Sequence, residues 1–230
     1  MDKSRTELLL GKEAVERLEG AHVAVFGVGG VGGFAAEALA RAGVGKITLV
    51  DSDTVSESNV NRQIIALSST VGRPKVEAMR ERMLDINPDL TVQIHDVFYS
   101  EQTRDEFDFG SYDYVVDAID SVRSKVDLIV TAKKHGARII SAMGAGRKLD
   151  PTAFVVSDIR KTSVCPLARA VRTALKKQGV TSLKVVFSKE PPIPFPDGEN
   201  GGAPGSVSFV PGVMGLIMAG EVIKDLASDL

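Results

Sequence analysis

Tryptophan is missing from these 230 residues and cysteine occurs once, at position 165. A lone Cys165 can form neither an internal disulfide nor a cysteine-rich zinc cage, and there is no CxxC pair, which fits a reducing compartment. No apolar run approaches the roughly 18 residues needed to span a bilayer, so no membrane partner is expected. The start, Met1 to Glu7, lacks the cationic-then-apolar pattern of a secretory signal, and a cytoplasmic location is the expectation. Excess charge is also lacking: 28 Lys and Arg against 30 Asp and Glu leave a net −2, so any nucleic acid must be met by a local basic patch. What is present, 43% hydrophobic and 25% charged residues with 22 Gly and 10 Pro, excludes disordered and collagen-like chains.

Short apolar runs alternate with longer segments of helical period, the pattern of βαβ units in a mostly parallel sheet. Strands are expected at His22–Phe26, Lys46–Asp51, Thr91–His95, Tyr112–Asp117 and Arg138–Ser141. Helices are expected at Lys12–Glu19, at Gly32–Ala42 ended by Gly43, at Pro74–Ile86 and at Val122–His135 ended by Gly136. Beyond Asp150 the pattern changes to a helix at Pro166–Gln178, a strand at Leu183–Phe187 and a returning amphipathic helix at Val213–Leu226. Between the last two, residues 188–206 are so rich in proline and glycine that an exposed, mobile loop is expected. The fold class is α/β, Rossmann-like: a mostly parallel sheet with flanking helices, residues 1–150 binding nucleotide and residues 151–230 forming a C-terminal substrate-binding extension of the same compact unit.

Gly27-Val28-Gly29-Gly30-Val31-Gly32 lies between the first strand and the following helix, where its mechanism requires it. Gly27 permits the tight turn, Gly29 lets backbone approach phosphate, Gly32 permits close packing, and the helix start offers unpaired N–H donors. Asp51 follows the second strand, placed to accept hydrogen bonds from ribose hydroxyls. Those features alone favour a dinucleotide. The segment after Asp51 points elsewhere: Asp53, Ser58, Asn59, Asn61, Arg62 and Gln63 set a guanidinium among amides at the ligand edge of the sheet. A β/γ-phosphate group calls for such a cation, which binds it bidentately. Lys75 stands at a helix start, where the dipole disfavours a cation unless an anion lies between. Asp120 ends another apolar strand on the same edge and is the candidate Mg²⁺ ligand, its alternative role being to cap the next helix.

The ordered motifs GVGGVG, DSDTVSESNVNRQ, VGRPK and DAIDS resemble the ubiquitin-activating-enzyme-like superfamily of ATP-dependent adenylyltransferases. The resemblance implies that Asp51 holds the ribose, that Asn59, Arg62 and Lys75 contact phosphates with Ser58 and Gln63 nearby, and that Asp120 binds Mg²⁺. It also implies a homodimer in which an arginine near the partner's N-terminus, here Arg5, reaches the triphosphate.

Paired CxxC motifs and an acyl-accepting cysteine in the loop are missing, which removes two familiar features of sulfur-carrier and ubiquitin-type activators. With GAGRKLDPT and DIRKTSVCPLAR, the chain is similar instead to the branch that dehydrates threonylcarbamoyladenosine in tRNA. That likeness implies ATP-dependent cyclisation through carboxylate activation, use of Mg²⁺ and a monovalent cation, tRNA carrying the open modification as substrate, and room for a sulfur-transfer or cysteine desulfurase-type partner. Cys165 reads as a buried structural thiol. Residues 160–189 contain no acid, and Arg160, Lys161, Arg169, Arg172, Lys176 and Lys177 are expected to meet tRNA phosphates. The rivals are adenylation of a sulfur-carrier protein's C-terminal carboxylate, an NAD-dependent dehydrogenase, and a non-catalytic nucleotide-binding module.

Overall fold

The computed structural model describes residues 1–195 and 204–228, so the centre of the proline- and glycine-rich segment lies outside the described residues. Seven strands form one sheet: β1 (His22–Phe26), β2 (Lys46–Val50), β3 (Thr91–His95), β4 (Tyr114–Asp117), β5 (Arg138–Ala142), β6 (Phe154–Asp158) and β7 (Lys184–Ser188). Their order is β3-β2-β1-β4-β5-β7-β6. All pairings are parallel except that of β6 with β7. The chain winds outward from β1 to β3 and then restarts on the other side at β4. The connections leaving β1 and β4 therefore diverge, opening a crevice at the strands' carboxyl ends.

Alternation within the central strands feeds two cores. Val23 and Val25 of β1 face the first, while Ala24 and Phe26 face the second. Helices α2 (Lys12–Gly20), α3 (Gly32–Ala42), α4 (Lys75–Ile86) and α7 (Val210–Ala227) cover the first face through Leu18, Leu39, Met79 and Met218. Helices α5 (Val122–Lys134) and α6 (Pro166–Lys177) cover the second through Leu128, Ile129, Val171 and Leu175. A strand buried on both sides reads as a continuous apolar run, which is why HVAVF carries no polar residue after His22. The few aromatics are concentrated: Tyr99, Phe107 and Phe109 pack against Phe26 with ring centroids 5.1, 5.4 and 5.9 Å away.

Several elements depart from the sequence expectation. Helix α4 opens at Lys75, because Pro74 has ψ 132° and stands outside the helix, bridged to Thr54. A short helix, α1 (Ser4–Leu10), precedes α2 and buries none of its residues; Leu8 and Leu9 are each 84% exposed. Strand β6, which the sequence reading did not assign, is an antiparallel edge strand with only Phe154 of its five residues buried. Helix α7 begins earlier than its period indicated, with Pro211 in its first turn, and ten of its residues are buried. No helix among the described residues is long and apolar enough to cross a membrane.

Candidate nucleotide site

The crevice at the β1/β4 switch point is a cavity of about 410 Å³. It gathers Gly27, Gly29, Asp51, Asp53, Asn59, Arg62, Gln63, Lys75 and Asp120, residues spread over nearly a hundred positions of sequence. Each glycine of the β1–α3 turn answers a different demand. Gly27 has φ +89°, and a Cβ there would lie 2.7 Å from the Ala118 carbonyl oxygen. A Cβ at Gly32 would fall 1.8 Å from the Gly27 carbonyl oxygen, so the turn closes only without one. At Gly29, by contrast, a Cβ would meet nothing nearer than Gln63 Nε2 at 3.8 Å, so the fold itself makes no demand for glycine. The free space at Gly29 serves whatever approaches the loop. No side chain caps α3, and residues 29–31 before it line the cavity; the Gly33 and Ala35 N–H groups are taken by the Gly29 and Val31 carbonyls at 3.0 and 3.1 Å. Gly29→Ala should therefore leave the melting temperature within a degree or two while weakening nucleotide binding about tenfold, the size of one lost backbone contact to a charged group; calorimetric titration with ATP checks it.

Asp51 accepts from the Val28 N–H at 2.6 Å and from the Asp53 N–H at 2.9 Å, tying the glycine turn to the end of β2. Burial pushes its carboxyl up from the ordinary value, against the opposing pull of Lys75 and the two backbone donors. Lys75 is only 5% exposed, and its Nζ donates to Asp53 Oδ2 at 2.6 Å. Its placement is local: the Val55 N–H donates to the Arg73 carbonyl at 2.9 Å and the Lys75 N–H to the Asp53 carbonyl at 3.0 Å, folding 72–75 back over 53–55. A buried cation is thereby fixed at the positive end of α4, where an anion in the cavity would relieve it.

Arg62 is half-buried, and its guanidinium donates to the Ser58 carbonyl at 2.8 Å and to Asn61 Oδ1 at 2.9 Å. It pairs with no carboxylate among the described residues, so a full positive charge faces the cavity. Asn59 lines the cavity, and its Oδ1 accepts from the Ser56 N–H at 3.1 Å in a reciprocal cap. Ser58 lies outside the lining, supplying its carbonyl to Arg62 and sharing a hydroxyl contact with Ser56. Gln63 is 7% exposed, and its Oε1 has no hydrogen-bond partner. One end of a buried amide left unmatched in a cavity wall calls for a polar ligand group.

Asp120 is exposed at the cavity edge. It does not cap α5; Ser121 does, through the Ser124 N–H. No cluster of three metal-binding side chains occurs among the described residues. A divalent ion on Asp120 would thus draw most of its ligands from phosphate oxygens and water, the ordinary arrangement for Mg²⁺. Beneath it, Asp117 and Lys125 form a buried ion pair that sequence reading did not reach, with Nζ 2.8 Å from both carboxylate oxygens. Asp117 Oδ1 also accepts from the Ile119 N–H at 3.2 Å, setting the course of the loop to Asp120.

Arg5 lies on α1, away from the cavity lining. The basic run divides in two. Arg160 is held by Asp158 at 2.8 Å, and Arg172 binds the Ile159 and Thr162 carbonyls at 3.3 and 3.2 Å. Lys161, Arg169, Lys176 and Lys177 are exposed, with no acidic partner among the described residues. Cys165 is buried, and its Sγ caps α6 by accepting from the Ala168 N–H at 3.5 Å, the structural role read from sequence.

Comparison with known proteins agrees with this geometry. A tRNA threonylcarbamoyladenosine dehydratase of Bacillus subtilis is 48% identical over 99% of this chain and 95% of its own length. Solved structures of the Escherichia coli tRNA N6-threonylcarbamoyladenosine dehydratase, one in complex with ATP and one with AMP, superpose with a TM-score of 0.89 at 37% identity, covering 96% of this chain and 92% of theirs. The ThiF family model matches residues 3–229, and the chain belongs to that family.

Proposed function

We propose that the protein uses ATP to activate the carboxylate of threonylcarbamoyladenosine in tRNA and closes the side chain into a ring with net loss of water. The observation that carries this reading is the convergence of Arg62 and Lys75, from the connection after β2, and of Asp120, from the connection after β4, on the cavity that the glycine turn also lines. A dinucleotide needs no such set, whereas a triphosphate does.

The chemistry follows from charge. A carboxylate is a poor electrophile until its oxygen becomes part of a good leaving group. In the first step the substrate carboxylate oxygen bonds to the α-phosphorus of ATP, and pyrophosphate departs with the electron pair of the broken P–O bond. In the second, an atom of the substrate's own carbamoyl group bonds to the acyl carbon, AMP departs, and a proton is released. The Gly29 backbone and the α3 start bind phosphate oxygens, Asp51 receives the ribose, and Arg62 and Lys75 neutralise the departing pyrophosphate in a preformed setting. Asp120 holds Mg²⁺, which when bound adds charge neutralisation at the phosphates. Ring closure is intramolecular, so the second step needs only that the activated group be kept from water.

The four free cations Lys161, Arg169, Lys176 and Lys177 supply salt-sensitive affinity for tRNA phosphates. Arg5, Leu8 and Leu9 share one face of α1 at helical spacing. A second copy of the chain covers that face, which carries Arg5 to the partner's triphosphate. The test is incubation with ATP, Mg²⁺ and tRNA bearing the open modification, followed by mass analysis of the nucleosides. Loss of one water with stoichiometric AMP supports the reading. Release of AMP only when a small sulfur-carrier protein is added would refute it.

A further inference from the structure

Adenylation brings two anions together, the acid to be activated and the α-phosphate that it attacks. In the function proposed above Arg62 and Lys75 serve the phosphates, so a further cation is called for where the acid enters.

Arg147 stands beside the cavity wall. It directly follows Ala145 and Gly146, which line the cavity. Its φ is +58°, the left-handed region that a side chain rarely occupies, and such backbone persists only where the surroundings impose it. Here they do: the Arg147 N–H donates to the Gly205 carbonyl and the Ile193 N–H donates to the Arg147 carbonyl, both at 2.8 Å. Nearby, the Leu149 and Asp150 N–H groups each donate to the Glu190 carboxylate at 3.0 Å. From the other side, Asn61 Nδ2 donates to the Ser206 carbonyl at 3.1 Å. Residues 144–150 thus clamp both described ends of the proline-rich connection against the cavity wall.

The Arg147 guanidinium stacks over the Phe195 ring, its carbon 4.1 Å from the ring centre. Stacking fixes the plane and leaves the edge N–H donors unused. No carboxylate pairs with it among the described residues, and the Glu190 carboxylate is spent on the Leu149 and Asp150 N–H groups. A rigid, half-buried guanidinium with free donors, one residue from the cavity wall, is built to take a planar anion bidentately.

We infer that Arg147 binds the carboxylate of the substrate nucleoside and presents it to the α-phosphate, making this residue the specificity determinant for the acid. The inference rests on the function proposed above. The test compares wild type with Arg147→Gly, which relieves the left-handed backbone rather than straining it, and with Arg147→Lys, which keeps charge without the fork. Binding of tRNA bearing threonylcarbamoyladenosine and of the same tRNA without the modification is measured in the presence of AMP, alongside the dehydration rate. Wild type should prefer the modified tRNA by about tenfold or more, the value of a charge-assisted pair. Arg147→Gly should abolish that preference, Arg147→Lys should restore only part of it, and the melting temperature and AMP affinity should not fall. A preference that survives in Arg147→Gly, no preference in wild type, or equal weakening toward both tRNAs would overturn the inference. A wild-type protein that does not dehydrate modified tRNA would sink the underlying function instead, and the inference with it.

Discussion

Arg62→Ala should lower kcat/KM for the dehydration by about 10³-fold or more while leaving the protein folded, since removing one preorganised donor costs 10²–10³ and a charged one at a transferring phosphate costs more. The stability half of this expectation follows from what Arg62 does in the protein. Its partners are a backbone carbonyl and the Asn61 side-chain oxygen, both in an exposed turn. Water can replace the guanidinium at each, so the melting temperature should hold within a few degrees. The activity half follows from what it does not do. It neutralises no carboxylate of the protein, so its charge is available for the bound anion. Lys75 offers a useful contrast. It already compensates Asp53, and Lys75→Ala would free a carboxylate whose side chain is 67% exposed and readily hydrated. That variant loses a cation and gains an unpaired acid beside the phosphates, so its activity should fall at least as far as that of Arg62→Ala. Steady-state kinetics with modified tRNA, paired with thermal melts, check both. Turnover by Arg62→Ala within tenfold of wild type would remove the guanidinium from the chemistry.

The parts of the molecule legible in sequence are those where one physical constraint acts alone. Strand β1 was bounded correctly because burial on both faces permits only an apolar run between the end of α2 and a glycine turn. Helix α3 was bounded at both ends because Gly32 must pack closely and Gly43 takes the left-handed turn that ends the helix. The residues lining the cavity were legible because GVGGVG and the polar stretch after Asp51 sit at strand ends, where such a fold opens its crevice. Features created by tertiary pairing were not legible. The proline before Lys75 looks like a helix start in sequence, but pairing of 72–75 with 53–55 holds it outside the helix. Arg172 looks like its neighbours along α6, but only the structure turns it inward onto Thr162. Arg147 gives no local signal at all, since its conformation is imposed by residues some fifty positions away. Lys125 reads as an ordinary helix lysine on a charged face, although the fold buries it completely.

That buried lysine carries the largest expected effect on stability. Lys125→Met should destabilise the fold by about 3–5 kcal/mol, the cost of stranding one member of a buried ion pair. Asp117 and Lys125 are both 0% exposed, so neither charge has water to fall back on. The Asp117 carboxylate would retain the Ser141 hydroxyl and the Ile119 N–H as donors, too little to hold a full charge inside the second core. A triple change of Asp117→Leu, Lys125→Met and Ser141→Ala removes every side chain of the network, so chemical denaturation should show most of the lost stability restored. Restored stability would not restore function. The Ile119 N–H would lose its acceptor, and the loop that sets Asp120 and packs the Ala118 carbonyl against Gly27 would lose its anchor. The triple variant should therefore melt near wild type yet turn over at least tenfold more slowly, with the loss in kcat rather than in KM for tRNA, because the cavity around Asp120 is displaced while the exposed cations proposed to meet tRNA are untouched. Equal activity in the two proteins would show the pair to be a matter of packing alone; a single Lys125→Met variant as stable as wild type would show that the pair contributes nothing to the fold.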